Sequence, residues 1–268
     1  MNEKIAISFN SAILYVIAFL LTTVFHELAH ALTGFLLGSS PTLHHNFVSH
    51  ATIIDLTLFQ KTVVALAGPV ISLIQGLLAG YGYYKLRKKA HTLLHLFLLW
   101  FSVLGLYNFL GYLMTGLFFK NGDIGKVYLM TQTPYWLQIG LALIATLLFT
   151  FIAYKMTRPF LQMSYKMEWL DSGANRKNFS FHVLFLPWMV GSVITTLLYL
   201  PVIAIVSIIY PISSGMIFIF PWQNADTITD VVPSSNSRIG KISTINVAFL
   251  VALMLLFRGI LAPGIHLN

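Results

Sequence analysis

The sequence predicts an all-α, multi-pass membrane protein with about six transmembrane helices. Three observations predict it. Of 268 residues, 57% are hydrophobic and 9% charged, where a soluble domain keeps about a quarter of its residues charged. Mean hydropathy is +0.79. The apolar residues also come in long runs, and a run of about 20 crosses a bilayer as a helix.

The spans follow in order. The first, residues 12–37, carries its polar positions (Tyr15, Thr22, Thr23, His26, Glu27, His30 and Thr33) within an arc of roughly 140° at about 100° per residue. It reads as one helix whose polar stripe faces protein or water. The second, 60–84, contains Gly68-Pro69, and the third and fourth cover 91–119 and 134–154. The fifth, 181–211, is broken by Pro187 and Pro201, and the sixth, 245–262, holds Arg258. That arginine is expected to snorkel to the interface or to pair with a buried acid. Residues 213–222 read as a re-entrant or interfacial piece. Segments 156–180 and 223–244 are polar and read as turns or loops. The first apolar run continues into His26 without a small-residue cleavage site, so it is read as a span rather than a signal peptide. No internal repeat or soluble domain is evident. The chain divides at about residue 130, with further transmembrane helices in 131–268.

The charge balance narrows function. The net charge is +8, but Lys85, Arg87, Lys88 and Lys89 lie between two apolar runs, where they read as a membrane anchor and topology signal rather than a nucleic-acid surface. The bilayer is thus an expected partner and nucleic acid is not. With no cysteine, disulfides and thiolate metal sites are excluded. Six spans put the N-terminus, the 85–90 loop and the 155–180 loop on one face. That face carries ten Lys and Arg against five on the other (Lys61, Lys120, Lys126, Arg238 and Lys241). The positive-inside rule then places both termini in the cytoplasm, and the C-terminal end of the first span outside.

Ionisable groups inside a span cost on the order of 2.5–3.5 kcal/mol each and are by default functional candidates. His26-Glu27-Leu28-Ala29-His30 is an HExxH pattern. Two histidines at i and i+4 point the same way from a helix and can share one metal, with the intervening glutamate beside it as general base. Zn²⁺ suits two neutral imidazoles plus a carboxylate and an open fourth position. The bland alternative is a polar packing cluster between helices.

The third ligand must come from eight acidic residues. Glu3, Glu168, Asp171, Asp226 and Asp230 fall in loops or the tail, and Glu27 is the candidate base. Asp55 and Asp123 remain. Asp123, in "KNGDIGK", follows the third span on the same face as the C-terminal half of the first, and Gly122 and Gly125 permit a sharp backbone there. Its bland reading is a solvated helix-start aspartate. His44, His45 and His50 lie on that face as competing ligands or substrate contacts. His91 and His95 read as interfacial.

"HELAHALTGFLLG", followed by "LAGPVISLIQG" and then "GDIG", resembles the site-2 protease family of intramembrane zinc metalloproteases over roughly residues 12–130. The resemblance implies a three-helix core, His26, His30 and Asp123 as zinc ligands, Glu27 as catalytic base, and a membrane protein or peptide as substrate. It also implies a site held toward the cytoplasm, opposite to the charge count. The sequence departs from the family pattern in reading Asp-Ile-Gly rather than Asp-Gly, with no preceding proline. Asn108 lies about 20 Å from Asp123 along a helix axis and is not expected to join the site. The stretch 44–59 partly alternates polar and apolar residues and suggests an extended hairpin at the membrane surface, suited to strand addition. Two other functions are compatible with the residues: a zinc hydrolase acting on a lipid-like or small substrate, and a non-catalytic metal-binding membrane module.

Overall fold

The computed structural model describes residues 3–87, 89, 92–200, 218–233 and 236–267. Among them, six helices are long and apolar enough to cross a membrane. They are α1 (Glu3–Leu36), α2 (Leu58–Leu86), α3 (Leu93–Thr115), α5 (Tyr135–Leu161), α6 (Gly173–Leu198) and α7 (Thr244–Leu261). The short helix α4 (Asp123–Met130) lies between α3 and α5. The described part of the expected fifth span begins earlier than the hydropathy suggests, and residues 201–211 of it lie outside the described residues.

α1 is the central helix, packed against α2, α3, α6 and α7. Its polar stripe faces those neighbours. Tyr15 Oη meets Ser192 Oγ at 3.3 Å, Gln75 donates to Thr22 Oγ1 at 2.7 Å, and Thr23 Oγ1 meets Tyr199 Oη at 2.5 Å. Trp100 on α3 is fully buried and donates its indole N–H to Ser11 on α1. In α6, Pro187 lacks the N–H that would reach the Val183 carbonyl four residues back. The helix widens to a π turn over Phe181–Phe185, and the Ser11 hydroxyl donates to that carbonyl at 2.6 Å.

Helix direction corrects the expected topology. Lys4 on α1 meets Asn178 on α6, and Thr23 meets Tyr199, so these helices run parallel. α7 runs the same way. Ser243, just before it, bonds Asn10, while His44 near the end of α1 meets the Ala262 carbonyl beyond its far end. Two successive described spans with the same direction place the chain's ends on opposite faces rather than on one. The flanks of residues 201–217 likewise lie on opposite faces. Residues 218–223 form a helical turn on the N-terminal face, with Trp222 stacked on Phe185 at 4.6 Å. The rest of the expected 213–222 piece lies outside the described residues.

The loop 223–244 therefore joins the N-terminal face. Of the described Lys and Arg, that face holds Lys4, Lys85, Arg87, Lys89, Lys155, Arg158, Lys166, Arg176, Lys177, Arg238 and Lys241. The other holds Lys61, Lys120 and Lys126. Arg258 is exposed and, among the described residues, forms no ion pair with an acid. Its guanidinium donates to the Leu198 and Leu200 carbonyls at the C-terminal end of α6, where a cation complements the helix dipole.

On the sparsely charged face, the turn after α1 passes through Gly38, whose φ of +93° is the left-handed conformation that glycine adopts without strain. A three-stranded antiparallel sheet follows, in the order β2-β1-β3, with β1 Pro41–Leu43, β2 Val48–His50 and β3 Ile265–His266. The hairpin thus starts earlier than the expected 44–59, and a strand from the far end of the chain closes one edge of β1. Thr57 caps α2 through a reciprocal bond with Gln60. The hairpin docks on α1 at Gly34, where an added Cβ would lie 2.7 Å from His50 Nδ1.

Candidate metal centre

α1 places His26 and His30 one turn apart, as the i, i+4 spacing dictates. Asp123, the first residue of α4, reaches them from a segment about a hundred residues away in sequence. Its Oδ2 lies 3.0 Å from His26 Nε2 and 3.2 Å from His30 Nε2, and the two Nε2 atoms are 3.1 Å apart. Three donors bound at about 2.0–2.1 Å around a tetrahedral centre would be about 3.3 Å apart. The observed triangle is close to one face of that tetrahedron, so His26, His30 and Asp123 could hold a metal ion. Both histidines are buried and Asp123 is largely so. Burial by itself would raise the Asp123 carboxyl. The imidazoles of His30 and His26 outweigh it and hold the group well below the usual carboxylate range.

The remaining ring nitrogens are also engaged. His30 Nδ1 lies 2.7 Å from the Val64 carbonyl, so it carries the proton and donates, which leaves Nε2 with a free lone pair. His26 Nδ1 lies 3.2 Å from Ser72 Oγ, and that hydroxyl also lies 3.1 Å from the Gly68 carbonyl. Tyr112 on α3 stacks on the His26 ring, with centroids 5.0 Å apart and planes at 13°. Such partners set ring orientation, and losing one typically costs about 10–100-fold in metal affinity. Ser72→Ala is accordingly expected to weaken metal binding by about tenfold at the low end of that range, read by competition with a chelating dye.

Gly68 explains why α2 approaches this closely. A Cβ there would lie 2.6 Å from His26 Nε2 and against His30 Nε2 as well. Only hydrogen fits between the α2 backbone and the two nitrogens.

The metal group opens onto a cavity of about 600 Å³. Glu27 and His30 from α1, Val48 and His50 from the edge strand β2, Lys61 from α2, and Asn121, Asp123 and Lys126 around the start of α4 all line it. Glu27 is buried and sits next to His26, with its residue on the cavity wall. Burial, His30 and Lys126 all lower the pKa of His50, which favours its neutral form.

The other candidates are placed elsewhere. Asp55 sits in a short 3-10 turn after β2, outside the metal group. His44 stacks on Phe47, and His45 is buried edge-on to Phe257. His95 is buried in the first turn of α3, and its ring bonds Thr92 and the Leu86 carbonyl, which closes the α2–α3 connection. His91 lies outside the described residues. Asn108 is buried in α3 and is not among the cavity residues, whereas Asn121 is. Sequence reasoning missed Tyr112, Val64 and Ser72. Only Ser72 carried a signal, four residues after Gly68 and so on the same face of α2. No protein-family model, curated protein or solved structure matches the chain.

Proposed function

We propose that the protein is a zinc-dependent intramembrane protease that hydrolyses peptide bonds of membrane-embedded substrates. One observation carries the reading: two imidazoles and a carboxylate from distant segments converge beside a buried glutamate on the wall of one cavity. His26, His30 and Asp123 would hold Zn²⁺, which suits this donor set and leaves a fourth position open. The ion would supply Lewis-acid polarisation of the scissile carbonyl and make water acidic enough to react near neutral pH. Glu27 takes the proton from water and returns it to the leaving amine, as a positioned carboxylate can. Val64 and Ser72 fix the two rings. Residues 1–130 form the catalytic core in this reading, and α5 to α7 enlarge the bundle around α1.

A peptide is preferred to a lipid because the edge strand β2 contributes Val48 and His50 to the cavity. An edge strand offers unpaired backbone groups to an extended chain. By the positive-inside rule, the heavily basic N-terminal face is cytoplasmic and the site opens toward the opposite side.

The test is purified protein reconstituted in vesicles with zinc and a set of transmembrane peptides. Cleavage within the apolar segment, abolished by chelation and restored by zinc, is expected. Zinc-loaded protein that leaves every peptide intact would overturn the reading.

A further inference from the structure

The basic residues of the sparsely charged face are unevenly used. Apart from Arg258, whose guanidinium binds the carbonyls at the end of α6, three are described there, all lysines. Lys120 donates to Gln138 at 2.7 Å and packs beside the Tyr128 ring. The other two, Lys61 and Lys126, both line the cavity of the metal group. They come from different elements: Lys61 from the first turn of α2, and Lys126 from α4, one turn beyond Asp123. Lys61 Nζ reaches the Ile54 carbonyl at 3.1 Å. Among the described residues, neither ammonium forms an ion pair.

The cavity's charges can be counted. Glu27 and Asp123 contribute two negative charges, and a divalent ion held by His26, His30 and Asp123 cancels them. His50 is favoured neutral by its surroundings. Lys61 and Lys126 are left over, so the loaded cavity carries an excess of two positive charges facing whatever enters. Charges of one sign in a recess with low-dielectric walls focus the field and raise the local concentration of the opposite sign. On this face the remaining described acid is Asp55, which is not among the cavity residues. The chain therefore supplies no carboxylate of its own to complete the site.

We propose that the cavity selects a peptide segment bearing a carboxylate close to the scissile bond, which Lys61 and Lys126 hold from two sides. This rests on the protease reading and names the substrate class for it. The carboxylate can be an Asp or Glu side chain or a free C-terminus. A membrane segment with an acidic residue just outside, or dipping into, its apolar stretch has that chemistry. An anionic lipid headgroup would meet the same lysines, but it would make no use of the edge strand β2 that lines the cavity. The peptide is accordingly the occupant.

The experiment uses the zinc-loaded full chain with Glu27→Asp, which keeps the cavity charge counted above while drawing the base back from the metal group, so that binding is read before turnover. The probes are fluorescein-labelled apolar peptides of about 20 residues that differ only in one Glu or Gln near the middle. A further pair differs in a free or amidated C-terminus. Binding is followed by anisotropy in neutral lipid, with and without anionic lipid added. The Glu peptide is expected to bind about fivefold more tightly than the Gln peptide, the order two partly exposed charge pairs provide. The difference should shrink with added salt and fall to about one in Lys61→Gln/Lys126→Gln. Lys61→Glu/Lys126→Glu should prefer a Lys peptide. The free-terminus pair tells which source of carboxylate is favoured, and a preference in either pair supports the proposal. Equal binding within both pairs would overturn it, as would a preference that survives in the double Gln variant or competition by anionic lipid alone. Cleavage of the same peptides by the native sequence is scored separately. Peptides cut without regard to charge leave the protease reading standing and remove only the selection.

Discussion

Glu27→Gln is expected to retain zinc at the native level while hydrolysis falls by about 10²–10⁴-fold, the usual contribution of a positioned general base. The substitution preserves shape and removes only the proton-accepting charge. Glu27 is buried on the cavity wall next to His26 and is not one of the three grouped donors. Its loss should therefore separate metal binding from chemistry. His26→Ala should behave differently. It removes one of three donors, so both the metal and the activity go. Measuring zinc content and peptide cleavage on the same preparations gives the comparison. A Gln variant that cleaves at the native rate would remove Glu27 from the mechanism.

Gly68→Val is the second large effect. The variant introduces no charge and removes no ligand, yet its Cβ would occupy space within 2.6 Å of His26 Nε2. Interatomic approaches that short cannot persist, so α2 or the imidazoles must move. Moving α2 also moves the Val64 carbonyl and the Ser72 hydroxyl, which orient both rings. Zinc affinity is expected to fall by about 100-fold or more, the upper end of what misplaced ligand supports cost. Gly68→Ala should give a smaller loss in the same direction. Circular dichroism that keeps its helical signal would show the bundle intact. Native zinc affinity in Gly68→Val would mean that the close packing of α2 on the ligands is unimportant.

Much of the fold was legible because bilayer chemistry writes itself into long sequence runs. Six apolar stretches marked six helices, but α1 starts nine residues before the expected 12, α5 runs seven beyond the expected 154, and the described helix of the fifth starts at Gly173 rather than at 181. The polar stripe of α1 was equally legible, since Tyr15, Thr22 and Thr23 recur at helical spacing and each finds a buried partner. Asp123 was reached by elimination among few acids. Elimination gives no distance, and the 3.0 and 3.2 Å separations come only from the fold.

Other features had no periodic trace. The parallel course of α6 and α7 cannot be read from hydropathy, which counts spans without ordering their directions. That gap put Arg238 and Lys241 on the wrong face. β3 is two residues long and pairs with β1 across more than two hundred positions, too short for any alternating pattern. His95 reads as interfacial from the sequence, and its role as a cap does not show there, because it depends on the reciprocal bond with Thr92. Tyr112 stacks on His26 through the crossing of α1 and α3, which no local pattern predicts.

The most direct measurement is zinc content together with zinc-edge X-ray absorption on purified protein, compared with Asp123→Ala and His30→Ala. The expected result is about one zinc per chain, with two imidazole nitrogens and one carboxylate oxygen at about 2.0–2.2 Å, and a spectrum that loses the corresponding ligand in each variant. A protein that binds no zinc, or zinc whose spectrum is the same in all three, would contradict it.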